Sequence, residues 1–510
     1  MKNLKYFLHS ILLLLALSIG VASCDLDKSP YSSINESEAD WTKVSTAQRF
    51  RTGIYASLRG RLGGVAYYAP DYQSDLFNAT IGFGNNGGDL TRWTFTFGQG
   101  DVESFWAGNY GTIKNVNYVL GNLSKVVAQN DEEKAFIKNM EGECKLVRAI
   151  CYHSLVLRFA KDYEPGTAAT EVGLPIVTEV DFDAKPERST LEDTYKFIKQ
   201  DIADARANIL AQGKANAVYL SSDVVDAFEA RVDLYMHNYK NAIALAKKVV
   251  DKYPLAQSAE DYLAMWKKDE SSEILYRGFS SIDERYNGMS MYTSGGLYRM
   301  ADGSQMTLYT AYYVPTEGAL SLYEKDDVRF GAFFKQDYVL SAQEIDALFL
   351  LYKFPGNESL KKDPATNPFE YFHMHKPFRV AELYLIAAES AYFDGNEALS
   401  KEWLNKLRTG RGSSQLEATG SDLFKALQEE WIREFIGEGM RLDQLKRWNL
   451  GFKRMSPQHS GFEPEVISPL IKGGADFDEL EIPAGHEKFV WEIPQNDLIA
   501  NPNLTPNWKK

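Results

Sequence analysis

The chain has 510 residues, of which 44% are hydrophobic, 13% aromatic and 25% charged, with a formal charge of −14. That balance excludes a disordered or low-complexity chain, and three cysteines over this length exclude a disulfide-built scaffold. An acidic chain has no electrostatic attraction to nucleic acid or to an anionic membrane surface, so no nucleic acid partner is expected and any membrane attachment needs another cause.

Residues 1–23 read as an address. Lys2 and Lys5 make a positive start, Ile11 to Val21 an apolar run too short to span a bilayer, and small residues precede Cys24. The pattern predicts a lipoprotein signal peptide with cleavage before Cys24 and lipid attachment to that cysteine. Each buried methylene adds about 0.8 kcal/mol of membrane affinity, so several acyl chains anchor a protein almost permanently. Residues 24–40 are polar, lack apolar periodicity and read as a flexible tether.

From Trp41 onward, helical periodicity recurs. Ser45 can cap a helix carrying Ala47, Phe50, Ile54 and Leu58 that ends near Gly60. A second helix is expected from Phe105 to Val127. After a break at Asn130-Asp131, the series Phe136, Met140, Cys144, Val147, Cys151, Leu155, Phe159 marks one helix face. Two helical turns put the Cα atoms of Cys144 and Cys151 about 10.5 Å apart, beyond the roughly 7 Å reach of a disulfide, so both are expected as buried free thiols. A further helix begins after Ser189-Thr190-Leu191-Glu192, with Ser189 or Thr190 as its cap.

Between Ser221 and Pro254, Ala230, Ala242, Val249 and Pro254 follow the tetratricopeptide spacing of small and proline positions, with Tyr239 opening the second helix. Small residues recur there because two antiparallel helices approach closely. A looser copy runs from Phe378 to Arg408, turning at Asp394-Gly395-Asn396. Stretches 60–101 and 276–375 are rich in glycine and aromatics and poor in helical periodicity. Alternation over Arg92-Trp93-Thr94-Phe95-Thr96-Phe97 predicts a short strand. Aromatic loops on a rigid frame are where binding residues concentrate.

Three motifs point toward other chemistry. Gly82-Phe83-Gly84-Asn85-Asn86-Gly87 spells a dinucleotide fingerprint, but a strand-like run is expected after it instead of a helix, so it reads as a loop. His373-Met374-His375 would share a strand face without a third ligand in reach, so no metal is expected. No carboxylate pair stands out for glycoside hydrolysis.

Ordered blocks along the chain resemble the SusD/RagB family of outer-membrane lipoproteins of the Bacteroidetes. These are Trp106, Tyr110, Ile113 and Asn117; Glu143 to Ala149 with Tyr152; Val172-Gly173-Leu174-Pro175; and Arg188-Ser189-Thr190 leading to Asp201. They continue with Arg379 to Glu389, Glu434 to Arg441 with Arg447-Trp448, Ile493-Pro494 and Asn501 to Leu504. Trp431, Ile432, Asp443 and Pro506 depart from the family's usual residues, at positions without expected chemistry. The cluster around Glu438 and Arg441 is expected to be a structural ion-pair network.

The resemblance implies a mainly α fold: a tetratricopeptide-like helix-pair scaffold with a large irregular, loop-rich half containing short strands. The scaffold is expected over about 41–60, 105–161, 190–254 and 376–450, and the irregular half over about 61–104, 255–375 and 451–510, within one domain from 41 to 510. It further implies a noncatalytic surface protein without cofactors that captures an oligosaccharide or peptide. The partner would be a SusC-like TonB-dependent transporter, over which this chain acts as a lid, lipid-anchored and facing the cell exterior. A surface glycan-cleaving enzyme and a scaffold lipoprotein holding other envelope proteins are the alternatives. Pyranose C–H faces pack on aromatic rings while polar side chains meet the hydroxyls. Tyr67, Tyr68, Trp93, Tyr292, Tyr298, Tyr312 and Tyr313 are the candidates for stacking, with Asp71 as polar partner.

Overall fold

The computed structural model describes residues 39–284, 292–300, 302–363 and 369–508. Cys24 and the leader lie outside the described residues, as does nearly all of the tether. No helix among the described residues is long and apolar enough to cross a membrane.

Helices pack in a row that follows the chain: Gly100–Leu123, Asp131–Phe159, Leu191–Asn208, Ser222–Tyr235 and Tyr239–Val250. Val380–Phe393, Glu397–Gly410 and Gly420–Phe435 continue it, because Val380–Phe393 packs on Tyr239–Val250 across the long intervening insertion. The two expected helix pairs are therefore stacked neighbours, with Ala230, Ala242 and Val249 fully buried where the helices approach. Asn130, Thr190 and Asn396 cap their helices by accepting from backbone N–H groups two or three residues into the helix. Cys144 and Cys151 are free and buried, and burial pushes the Cys151 thiol up to about 12.

The insertion between the repeats builds a four-stranded sheet in the order Thr293–Arg299, Gln305–Ala311, Phe334–Ser341, Glu344–Leu351. The outer pairs are antiparallel and the central pair is parallel. Smaller two-stranded ladders join distant parts, such as Phe77–Ala79 with Tyr313–Pro315 and Phe378–Arg379 with Ile274–Tyr276.

Several local expectations are corrected. Lys43 occupies the N-cap of Val44–Arg61, and Ser45 lies inside that helix. Residues 92–97 form no strand, because Trp93 turns the chain with a left-handed φ of 57°. A single helical turn, Gly88–Thr91, follows the glycine-rich loop, and residues 61–104 also hold the helix Val65–Gln73.

A buried ion network fastens the irregular half to the helical row. Arg411 places both terminal nitrogens on Glu273 at 2.6 and 2.7 Å, and its Nε donates to Glu434 at 3.1 Å. Arg329 pairs with Asp327 and Glu430, each at 2.7 Å, and reaches Glu434 at 3.3 Å. Arg379 pairs with both oxygens of Glu438, one of which also meets Lys353 at 2.6 Å. These charges are almost wholly sealed from solvent. Despite their burial, the facing arginines hold the Glu430 and Glu434 carboxyls down at about 2. Trp431, one of the departures from the family pattern, donates its indole N–H to Glu389, which also pairs with Arg447.

Candidate functional site

The structure divides the eight expected binding residues by burial. Tyr292, 1% exposed, donates its hydroxyl to Asp71 Oδ2 at 2.7 Å. Tyr313, 0% exposed, stacks on Tyr72 with ring centroids 3.8 Å apart and donates to the Asn86 carbonyl at 2.6 Å. Tyr68 donates to Asp101, and the Trp93 indole donates to the Gln73 carbonyl while its ring packs on Phe452 and Phe489. Asp71, Tyr68, Trp93, Tyr292 and Tyr313 are thus core residues with no open face for a ligand, which corrects the expectation for them. Loops without regular hydrogen bonding build their core from large aromatics, and in these four the hydroxyl or indole N–H finds an internal acceptor. Tyr67 and Tyr312 are partly buried, and only Tyr298, 42% exposed on the first sheet strand, presents an open ring.

Asp71 titrates abnormally. Burial pushes its carboxyl up to about 7, against the pull of the Tyr292 hydroxyl. Between about pH 4 and 7 the folded chain keeps a proton that the unfolded chain releases, so stability falls as pH rises through that window. Asp71→Asn removes this titration. In urea unfolding, the variant is expected to gain on wild type by roughly 4 kcal/mol from pH 4 to 8; a difference that stays constant with pH contradicts this assignment.

The histidine pair is also core. His373 and His375 are each 1% exposed, with ring centroids 4.7 Å apart, and burial pushes His373 down to about 4, so both rings are neutral at physiological pH.

Open aromatic surface and polar groups meet instead in a cleft of about 580 Å³ at the seam between the first helix, Val44–Arg61, the loop before Ser222–Tyr235 and the loop after the strand Ile274–Tyr276. Tyr219 and Phe279 line it at 52% and 49% exposure. The Arg51 guanidinium lies 4.0 Å from the Tyr219 ring centroid and is fixed by two 2.6 Å hydrogen bonds to Glu143. Tyr55 meets Tyr219 edge-on at 5.2 Å. Arg59 holds the opposite wall by donating to the Phe279 carbonyl at 2.5 Å and to Glu284 at 3.2 Å. Gln48 and Thr52 add an amide and a hydroxyl from successive turns of the same helix. The cleft offers two ring faces, hydrogen-bonding groups of both signs and room for a few sugar rings or a short peptide.

Sequence reasoning missed Tyr219 and Phe279. Phe279 falls inside a stretch read as aromatic and irregular, but Tyr219 sits just before a helix cap with no pattern to mark it. Exposure of a single ring leaves no periodic trace.

A second cleft, of about 680 Å³, lies between the segment following Asp131–Phe159 and residues 445–450 and 485–490. Among its charges, Lys161 pairs with Glu171 at 2.9 Å, and Arg188 donates to three backbone carbonyls and Asn507.

Residues 344–509 match the model of the SusD family, and residues 26–234 match a model described as starch-binding associating with outer membrane. No curated protein sequence matches the chain. Among solved structures, a SusD superfamily protein from Bacteroides thetaiotaomicron superposes with a TM-score of 0.73 at 22% identity, covering 92% of this chain and 100% of that one. A putative sugar binding protein from Bacteroides vulgatus gives 0.70 at 21% identity, covering 91% and 98%. A SusD-like carbohydrate binding protein from the same species gives 0.72 at 18% identity, covering 92% and 98%. At these identities the superpositions establish a shared fold. The two family models together match most of the chain, residues 26–234 and 344–509, and the protein belongs to the SusD/RagB family.

Proposed function

We propose that this protein is a noncatalytic, lipid-anchored binding protein of the outer cell surface that captures an oligosaccharide and passes it to a TonB-dependent transporter, over which it closes as a lid. The observation that carries the reading is the seam cleft, where Tyr219 and Phe279 offer open ring faces beside Gln48, Thr52, Arg59 and Glu284. That combination suits a ligand with apolar C–H faces and a rim of hydroxyls. The family's starch-binding description and the sugar-binding neighbours support the ligand class. Tyr298, exposed on the sheet, is a further stacking position, with Tyr67 and Tyr312 as lesser ones.

Attachment rests on the lipid at Cys24, which leaves the folded chain on a tether beside the transporter and keeps its local concentration high. The helical row would face the transporter and the loop-rich half would present the ligand. Titration of the purified mature chain with a panel of oligosaccharides and, separately, of peptides tests the ligand class. Saturable binding of an oligosaccharide is expected; binding of peptides alone would reassign the ligand, and binding of neither would remove the capture role. Replacing Cys24 with alanine is expected to move the protein from the membrane to the soluble fraction with ligand affinity unchanged. A variant that stays membrane-bound contradicts the anchor.

A further inference from the structure

Three potential metal ligands from distant parts of the sequence converge at the edge of the second cleft. Asp162 and Glu164 follow the helix Asp131–Phe159, and His237 occupies the turn between the helices Ser222–Tyr235 and Tyr239–Val250. One ligand atom from each lies within 4.8 Å of the others, and His237 Nδ1 is 4.0 Å from Glu164 Oε2. Both oxygens of the Asp162 carboxylate are sealed from solvent, and neither has a hydrogen-bond partner. A buried carboxylate without a partner is costly, so each such group needs a physical reason. Lys446 and Arg447 face the Asp162 carboxylate with positive charge, but the Lys446 ammonium donates its hydrogen bonds to the Leu157 and Ala160 carbonyls and Arg447 pairs with Glu389, so neither cation meets the Asp162 oxygens directly.

We propose that Asp162, Glu164 and His237 bind a divalent transition metal ion of the zinc class. One imidazole and two carboxylates suit such an ion, whereas calcium takes six to eight oxygens. Zinc bonds of about 2.0–2.2 Å put tetrahedral ligands roughly 3.4 Å apart, so Nδ1 and Oε2 need to close by about half an ångström and no pair by more than about 1.4 Å. The Glu164 side chain is 60% exposed and can swing that far without disturbing packing. The His237 ring is oriented by stacking on Tyr239 at 5.5 Å. Asp162 and Glu164 also line the cleft, so the open fourth position is left to water or to a ligand oxygen. The ion would pin the end of the long helix to the first tetratricopeptide turn. No spacing motif announces this set, because its members come from separate segments.

The test uses the purified mature chain, stripped with chelator and dialysed against zinc, with bound metal counted by elemental mass spectrometry. About one equivalent per chain is expected. Glu164→Gln and His237→Asn are each expected to weaken binding at least tenfold while leaving the melting temperature of the metal-free protein unchanged. Asparagine suits the left-handed φ of 61° at position 237, and Glu164 has no other side-chain partner among the described residues, so neither variant should misfold. Uptake well below one equivalent, or variants that bind zinc as tightly as wild type, would overturn the site.

Discussion

Glu434→Gln is expected to destabilise the fold by about 3–5 kcal/mol in urea or guanidinium unfolding, although it deletes no atom from the core. Glu434 sits among three guanidinium groups, with Arg411 at 3.1 Å, Arg329 at 3.3 Å and Arg379 at 3.5 Å. All four side chains are essentially without solvent contact, so no water can replace the lost negative charge. Attraction at such depth offsets a large desolvation penalty, and removing one partner leaves the penalty uncompensated. The effect should also be cooperative. Arg411 bridges to Glu273 in the insertion, and Arg329 reaches from the same insertion to Glu430 and Glu434, so weakening the hub loosens the attachment of the loop-rich half to the helix Gly420–Phe435. By contrast, Asp251→Asn breaks an exposed helical pair with Lys247 and should leave the unfolding midpoint nearly unmoved. A Glu434→Gln protein as stable as wild type would mean the network is not what joins the two halves.

The second large effect concerns binding. Combined Tyr219→Ala and Phe279→Ala substitution is expected to weaken oligosaccharide binding by about a thousandfold, at roughly 2 kcal/mol for each aromatic hot spot. The substitutions remove exposed rings, so the melting temperature should change little. Tyr219 carries the further role of capping the Arg51 guanidinium, and its single variant should show the larger loss of the two. Tyr298→Ala, on the sheet, is expected to give a smaller reduction. Full affinity in the double variant would move the ligand site away from the seam.

How much of this could be read before any coordinates depends on whether a feature repeats. The helix pairs were legible because close helix approach demands small residues at fixed intervals, and Ala230, Ala242 and Val249 stand buried where the spacing placed them. Family blocks such as Glu434 to Arg441 were legible as an ion network, because charge on consecutive helical turns rarely serves anything else. The strand expected at 92–97 failed because alternation says nothing about φ, and Trp93 turns the backbone out of register. The proposed binding residues were the least legible. Aromatic loops hold both core and platform rings, and Tyr292 and Tyr219 look alike in sequence. Burial separates them, and burial is set by contacts between segments such as Asp71 with Tyr292 that no local pattern encodes.

Capture without bond cleavage is tested by saturating the purified mature chain with an oligosaccharide that it binds, incubating, then releasing the ligand and weighing it by mass spectrometry against a protein-free control. A binding protein gives a stoichiometric complex from which the oligosaccharide returns at its original mass and length. Shortened products that accumulate with time and protein concentration would contradict it and make the protein an enzyme.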